Sequence, residues 1–321
     1  MAGAARTLCV VLGCLVALRT SALFAGEFAA GKAGFSVRLG SEVWPYREMA
    51  VYVLPGEAVD FAVEGRRGVE NFEVRSSVAS VRQLGRRKWQ WKAPEKVGLY
   101  HVRIVKEGTS DSISLNVLVM VPFSQDKGGY LNAYRIGEYP ETALKGLSIY
   151  ERPRGFVEVT EENLETLVSP HFKVAQFVCK QDGGYPKYLV LSGRLLQKLE
   201  SILEKVNESG YRCDTLHVMS GYRTPYYNQE IGNVPYSLHV FGGAADVFID
   251  ADPVDDLMDD LNRDGHVDEN DAKVLYEIID DLSGKPWHQH FAGGLARYGG
   301  TEAHGPFVHV DVRGFHASWG N

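Results

Sequence analysis

The hydrophobic pattern changes its period partway along the chain, and this change most constrains the fold. Over residues 35–122 apolar and polar residues alternate, as in 59–63 and 113–117. Alternation places apolar side chains on one face of a β-strand. From residue 166 the spacing becomes helical over about 190–208. Short strands are expected at 215–220, 244–249 and 307–312. The sequence therefore predicts an all-β part followed by an α+β part, and 321 residues suffice for two domains.

The first part, residues 33–122, is expected to form a small antiparallel β-sandwich. Its strands are separated by turn signals such as Pro55-Gly56 and Ala93-Pro94. The pattern is similar to that of the immunoglobulin-like modules attached to many secreted bacterial enzymes. No cluster of acids and histidines suggests chemistry there, so we interpret it as a spacer or docking module. Residues 123–165, rich in Gly, Tyr and Pro, are expected to be an ordered linker.

The N-terminus has the features of a targeting segment. Arg6 precedes an apolar run over residues 8–18, and Ala22 and Ala25 provide a small-residue cleavage pattern. A run of about 11 residues is too short to span a bilayer but fits a secretory signal, here residues 1–25. Lipoprotein anchoring at Cys14 is an alternative. The mature chain is expected in the periplasm or cell envelope, with no transmembrane helix.

Charge and cysteine content narrow the remaining classes. The net charge of −7 and the pI near 5.8 argue against binding nucleic acid through a general basic surface. After removal of the signal, Cys179 and Cys213 remain. An oxidising compartment would allow them to pair, and the sequence leaves this open. Neither lies in a C-x-x-C motif, which disfavours a thiolate metal site.

Two imidazoles and a carboxylate stand out in the second part. His239 and Asp246 lie seven residues apart across a glycine turn, and His309, Asp311 and Arg313 alternate along one predicted strand. Alternate strand residues share a face. Two histidines and one carboxylate are a typical ligand set for catalytic zinc, with a fourth position left to water. The pattern thus predicts a zinc site.

Three motifs in order carry a family resemblance over residues 166–321. They are S-x-H-x-x-G-x-A-x-D at 237–246, Ser-Gly-Tyr-Arg-Thr-Pro at 220–225, and Phe-Val-His-Val-Asp-Val-Arg-Gly at 307–314. This part resembles the zinc D-alanyl-D-alanine carboxypeptidases and related murein endopeptidases, which have the hedgehog-type fold. The resemblance implies the zinc ligands His239, Asp246 and His309. It also implies a substrate-binding Arg223 and a catalytic His304.

Some roles stay open within that resemblance. Asp311 could orient a ligand histidine, or it could pair with Arg313 and only stabilise the strand. The related dipeptidases place a Glu in an E-x-W-H arrangement before the last ligand. Here Trp287-His288 lacks that Glu. We therefore interpret Trp287-His288 as a chance similarity, and the general base is not identified.

A second metal motif lies in a predicted insertion, residues 252–285. Residues 260–271 fit the D-x-[DN]-x-[DN]-G pattern of an EF-hand calcium loop, with Asp in place of Glu at position twelve as in dockerin-type loops. Gly265 would permit the sharp turn, and an acidic solvated turn is the alternative. The expected calcium ligands are Asp260, Asn262, Asp264, the His266 carbonyl, Asp268 through a water, and Asp271.

These features together predict a zinc-dependent metallopeptidase with structural calcium. The expected substrates are peptidoglycan stem peptides or crosslinks, cleaved by D,D-carboxypeptidase or endopeptidase action through a metal-activated water. The alternatives are a non-catalytic protein that holds zinc and binds or scaffolds the cell wall, and a chain whose β module docks to wall glycan as its main role.

Overall fold

The computed structural model describes residues 28–65, 70–78 and 81–320. The predicted signal, residues 1–25, and the alternative lipid-anchor Cys14 lie outside these ranges. Among the described residues, no helix combines the length and the apolar character that crossing a bilayer requires.

Strands between residues 32 and 119 form two sheets that pack face to face. One sheet has the order β2-β1-β4-β7-β6 and the other β3-β9-β8-β5, where β3 and β9 are parallel. The strands are β1 (Lys32–Leu39), β2 (Glu42–Tyr46), β3 (Glu48–Val53), β4 (Ala58–Glu64), β5 (Phe72–Ser76), β6 (Val81–Gly85), β7 (Lys88–Lys92), β8 (Gly98–Lys106) and β9 (Ser112–Val119). The alternating segments predicted as strands fall within β4, β7, β8 and β9.

The core of this module forms because each sheet turns its apolar face toward the other. The rings of Phe35 in β1 and Phe72 in β5 are 4.9 Å apart. Trp91 in β7 is buried, and its Nε1 donates to Ser76 Oγ of the other sheet at 3.0 Å. This hydrogen bond satisfies the indole N–H inside the core. The immunoglobulin-like assignment of the two sheets stays a prediction.

The segment predicted as an ordered linker is built into the second half of the molecule. Tyr139 donates or accepts a hydrogen bond with Tyr222 at 2.8 Å, and its ring packs edge-on against Phe241. The short strands here are β10 (Val121–Pro122), β11 (Tyr130–Leu131), β12 (Tyr134–Arg135), β13 (Gly155–Val159), β14 (Leu167–Ser169), β15 (Phe172–Lys173) and β16 (Lys187–Leu189). Single 3₁₀ turns occur at Phe123–Gln125, Leu144–Gly146, Ser148–Tyr150, Glu161–Asn163 and Val174–Phe177, and a longer one at Pro286–Phe291.

The second half places helices against a sheet of order β17-β18-β20-β19-β21, with β19 and β21 parallel. Its elements are α1 (Gly193–Glu208), β17 (His217–Ser220), α2 (Pro225–Glu230), β18 (Ala244–Phe248), α3 (Glu269–Ser283), β19 (Gly294–Tyr298), β20 (Phe307–Asp311) and β21 (Ala317–Trp319). The predicted helix over 190–208 and the strands at 215–220, 244–249 and 307–312 agree with α1, β17, β18 and β20. The described residues are therefore mostly β with few helices.

Helix α1 contacts both halves of the molecule. Its apolar face, including Leu199 and Ile202, is buried. On another face Glu204 accepts hydrogen bonds from Tyr46 and Lys32 of the β module, at 2.8 and 2.5 Å. The β module therefore covers part of the polar face of the helix.

A histidine–glutamate pair sits at the same junction. His171 Nδ1 lies 2.6 Å from Glu200 Oε2, and its Nε2 lies 2.9 Å from the Ala29 carbonyl. Both ring nitrogens thus face acceptors, which favours the doubly protonated ring. Burial opposes the charge, but the Glu200 carboxylate outweighs it and raises the pKa of His171. The Glu200 side chain is itself fully buried.

We expect His171→Ala to destabilise the fold by roughly 3 kcal/mol at pH 5.5, because it leaves the Glu200 carboxylate buried without its partner. A histidine whose pKa is higher in the folded state than in the unfolded state stabilises the fold. The stabilisation is fully present at pH values below the unfolded-state pKa of about 6.5, and it is lost as the pH rises through the folded-state pKa. The difference in the free energy of unfolding between wild type and variant should therefore be smaller at pH 8.5 than at pH 5.5. Urea denaturation at both pH values measures this difference. A difference that increases with pH would contradict this account.

Candidate metal centre

Two neighbouring strands and one turn bring the three predicted zinc ligands together. Asp246 in β18 is paired directly with His309 in β20, so both side chains project from the same face of the sheet. His239 lies in the turn before β18. That turn closes at Gly242, whose φ is +66° and where a Cβ would lie 2.3 Å from the Val190 carbonyl oxygen. The glycine is therefore needed for the turn that carries His239 over the sheet.

The ligand atoms of these residues converge on one point. Asp246 Oδ1 lies 3.2 Å from His239 Nε2 and 2.8 Å from His309 Nδ1, and the two nitrogens are 3.3 Å apart. All three residues are buried. With Zn–N bonds of about 2.0–2.1 Å, neighbouring ligand atoms of a tetrahedral site lie about 3.3 Å apart. The observed spacing fits that geometry.

In each histidine ring, one nitrogen makes a hydrogen bond away from the cluster, and this bond shows which nitrogen can act as the metal ligand. His239 Nδ1 donates to the Gly221 carbonyl at 2.7 Å, and His309 Nε2 donates to Asp311 Oδ2 at 3.3 Å. In neutral rings the other nitrogens then carry lone pairs. Two lone pairs and a carboxylate oxygen facing one another repel unless a cation or a proton lies between them. The donor set is thus suited to zinc.

The electrostatics of the cluster favour positive charge between its members. Burial opposes ionisation of Asp246, but the contacts with His239 and His309 hold the pKa of that carboxyl well below its usual range. Burial lowers the pKa of His239. Burial also acts on His309, but hydrogen bonds to Asp246 and Asp311 outweigh it and raise its pKa.

Arg223 contacts the cluster directly. Its Nη2 donates to Asp246 Oδ2 at 2.5 Å, and its Nε donates to Ser220 Oγ at 2.8 Å. The guanidinium therefore engages the carboxylate oxygen that does not face the two histidines, and it orients Asp246 as a one-oxygen ligand. The predicted substrate contact would have to use the remaining nitrogen, Nη1.

Asp311 contacts both of the partners that the sequence suggested. Its Oδ2 accepts from His309 Nε2, while Arg313 Nε donates to both of its oxygens at 3.0 and 2.9 Å. The backbone N–H of Gly294 adds a donor at 2.6 Å. Although burial opposes it, the contacts with His309 and Arg313 lower the pKa of Asp311. These contacts fit a residue that orients the His309 ring, and this role stays a prediction.

We expect Asp311→Asn to weaken zinc binding about 10- to 100-fold, because His309 loses the charged partner that fixes its tautomer. Competition with a zinc-chelating dye measures the affinity. Arg313→Gln is the matched control, since it removes the other partner of Asp311 but keeps the contact with His309, and it should weaken zinc binding less. Equal effects of the two substitutions would assign Asp311 a merely structural role.

A cavity of about 600 Å³ opens beside the cluster. Gly221 and Arg223 line it, and these residues contact His239 and Asp246 respectively. His304 lines the same cavity and is half-exposed. Its Nδ1 donates to the Gly305 carbonyl at 2.8 Å, which leaves Nε2 as the basic nitrogen. The structure thus places His304 and Arg223 on one cleft that adjoins the ligand cluster.

A second group of possible metal ligands lines this cleft, and the sequence reasoning missed it. His217 Nδ1 lies 3.4 Å from Asp250 Oδ2 and 3.6 Å from Asp256 Oδ1. The ring of His217 stacks on Phe248, its register partner across β17 and β18. The predicted strands at 215–220 and 244–249 contained the necessary signal. An antiparallel pairing of these two strands would have placed His217 near the acidic residues that follow β18.

Other predicted features are placed apart from the cluster. His288 is buried in the Pro286–Phe291 turn, where burial lowers its pKa to about 4. Within the described ranges it belongs to neither group of possible metal ligands. Cys179 and Cys213 are both buried free thiols, so the structure contains no disulfide between them. Burial raises the pKa of Cys213 to about 12.

The predicted calcium loop has the expected turn, but its carboxylates bind the loop itself. Gly265 has a φ of +86°, and its N–H donates to Asp260 Oδ2 at 2.8 Å. Asp271 is fully buried and accepts from the N–H groups of Leu261 and Asp268, both at 2.8 Å. The His/Asp groups found among the described residues do not include this loop. Calcium binding there stays a prediction, including the roles of Asn262, Asp264, His266 and Asp268.

Comparison with known proteins gives one family match. Residues 170–267 match the family model described as Peptidase M15. That span contains His239 and Asp246, and His309 lies beyond it. A search of curated proteins gave no match.

Among the solved structures that resemble part of the chain is the "Crystal structure of the S-layer protein SbsC domains 4 and 5". The identity is 18% over 26% of this chain, with a TM-score of 0.18. The chain spans about half of that structure, 51% of its length, and a likeness at this level carries no argument. The Peptidase M15 match and the His239–Asp246–His309 cluster together support a zinc metallopeptidase domain in the second half of this chain.

Proposed function

We propose that this protein is a zinc-dependent metallopeptidase that cleaves peptidoglycan peptides, as a D,D-carboxypeptidase or a crosslink endopeptidase. The observation that carries the proposal is the convergence of His239 Nε2, Asp246 Oδ1 and His309 Nδ1 beside a cleft lined by Arg223 and His304. Three protein ligands leave a tetrahedral site one position short, which is the arrangement of catalytic rather than structural zinc.

Zinc held by these residues would lower the pKa of a coordinated water and polarise the scissile carbonyl. His304 would move a proton or stabilise the developing oxyanion through Nε2, the ring nitrogen that does not donate to the Gly305 carbonyl. Arg223 would hold Asp246 in position and offer Nη1 to a peptide carbonyl or carboxylate. Asp311 would keep His309 in the tautomer that presents Nδ1.

The proposed location is the periplasm or cell envelope, where the peptide substrate occurs. The support is the signal-like pattern of residues 1–25, with Cys14 as an alternative lipid-attachment site. The immunoglobulin-like module would be a spacer or docking module. A calcium-ordered 260–271 loop would shape the region between β18 and β20, which carry Asp246 and His309.

Digestion of purified muropeptides by the full chain, with and without added zinc, tests the proposal when the products are identified by mass. We expect zinc-dependent release of a terminal D-alanine or cleavage of a crosslink. His304→Gln should keep its zinc and lose about 10²- to 10⁴-fold in kcat. A zinc-loaded wild type that releases no product would favour the alternative of a cell-wall binding protein that only holds zinc.

A further inference from the structure

A second cavity of about 770 Å³ adjoins the proposed catalytic cleft. Lys180 and Tyr227 line both cavities, so the two cavities are neighbours. The volume lies within the range of pockets that bury a small organic ligand, about 300–1,000 Å³. The zinc peptidase mechanism uses none of the residues that line only this second cavity, which we name the tyrosine cavity.

The lining of the tyrosine cavity combines aromatic rings with hydrogen-bonding groups. Four tyrosines line it, namely Tyr134, Tyr185, Tyr226 and Tyr227. Tyr185 is 41% exposed. Asn132 and Asp182 add polar groups to the same lining. Flat apolar faces beside amide and carboxylate groups suit a ligand with apolar ring faces and polar edges.

The wall of the tyrosine cavity is held in place before any ligand arrives. The Arg135 guanidinium stacks 3.9 Å from the centre of the Tyr226 ring. Gln181 Nε2 donates to the Arg135 carbonyl at 3.0 Å, and Thr224 Oγ1 donates to Gln181 Oε1 at 2.6 Å. Because these side chains are already ordered, ligand binding costs less conformational entropy.

The formal charges that line the tyrosine cavity cancel, since Arg135 and Lys180 are balanced by Asp182 and Glu230. A cavity without net charge suits a neutral ligand. The polar groups beside the rings suit a ligand rich in hydroxyl and amide groups.

We propose that the tyrosine cavity binds a neutral pyranose sugar, the N-acetylated amino sugar of the glycan that carries the stem peptide. This inference rests on the proposed function, because it identifies the sugar and the peptide as parts of one substrate. The Tyr185 and Tyr226 rings would pack against the C–H faces of the sugar. Asn132 and Asp182 would bind its hydroxyl and acetamido groups, while the peptide extends past Tyr227 into the cleft.

Titration calorimetry of the zinc-loaded full chain with a soluble β-1,4-linked N-acetylglucosamine tetrasaccharide tests the proposal. We expect saturable binding that Tyr226→Ala weakens about tenfold and Tyr226→Phe preserves, since the ring supplies the contact. Tyr185→Ala is a second variant at an exposed position. Tyr276→Ala is the matched control, because Tyr276 is also half-buried and packs against an arginine, Arg297, at 5.9 Å. It should bind the saccharide like the wild type.

The titration measures binding of the saccharide and does not depend on catalysis. It therefore tests the sugar site even if the protein has no peptidase activity. No heat of binding at millimolar saccharide, or equal effects of Tyr226→Ala and Tyr276→Ala, would overturn the proposal. With an active enzyme, Tyr226→Ala should lower kcat/KM for a sugar-bearing muropeptide and leave kcat/KM for the sugar-free peptide unchanged. If Tyr226→Ala lowered kcat/KM only for the sugar-free peptide, the cavity would bind the peptide, and the proposal would be overturned.

Discussion

Replacing His309 with alanine is expected to abolish peptide release, with kcat/KM falling by roughly 10³-fold or more. The substitution removes one of three ligand atoms, and a catalytic metal contributes several kcal/mol of transition-state stabilisation, where each 1.4 kcal/mol is tenfold. His239→Ala should have an effect of the same size, since both nitrogens face Asp246 Oδ1. Muropeptide turnover followed by mass spectrometry measures it.

His316→Ala provides the control for this experiment. His316 is an exposed histidine that follows β20 by five residues, outside both groups of possible metal ligands in the described chain. Its replacement should leave turnover and zinc content unchanged. Circular dichroism confirms that each variant is folded. A His309→Ala protein that is folded, lacks zinc and retains wild-type turnover would remove zinc from the mechanism.

Zinc is also expected to stabilise the fold strongly, because the apo cluster places two ring nitrogens and a carboxylate oxygen against one another. At about 100 times the dissociation constant, a ligand that binds only the folded state contributes about 2.7 kcal/mol. For a domain of this size, that corresponds to a rise in Tm of about 5–10 °C. Scanning calorimetry of chelator-treated protein, before and after adding zinc, measures the shift.

Calcium added separately distinguishes the two metal sites in the same experiment. If the 260–271 loop binds calcium, calcium alone raises Tm by a few degrees, and Asp260→Asn removes this rise but not the rise with zinc. An unchanged Tm with calcium would contradict the calcium prediction and leave the zinc account intact. An unchanged Tm with zinc would contradict the zinc account.

The sequence was sufficient where a local pattern determines the structure. The alternation of residues 113–117 lies in β9, and the helical spacing after Leu195 lies in α1. The candidate ligands His239, Asp246 and His309 could be named from short motifs, because each lies beside a glycine turn or on a short predicted strand. Their convergence could not be derived from spacing, since His309 lies 63 residues beyond Asp246.

The rest depends on contacts between distant segments, which periodicity does not encode. Lys198 on α1 is an example. It is buried, its Nζ donates to the Asp311 carbonyl at 2.7 Å, and burial lowers its pKa to about 8. The Arg223–Asp246 pair likewise joins residues 23 positions apart. Such contacts appear only once the sheet and α1 are assembled.

X-ray absorption spectroscopy at the zinc edge, on protein loaded with one equivalent of zinc, tests the central claim most directly. Our account predicts two nitrogen ligands and oxygen ligands at about 2.0–2.2 Å in a four-coordinate site, with loss of one nitrogen in His309→Ala. A six-oxygen environment, a sulfur ligand, or a spectrum that His309→Ala leaves unchanged would contradict it.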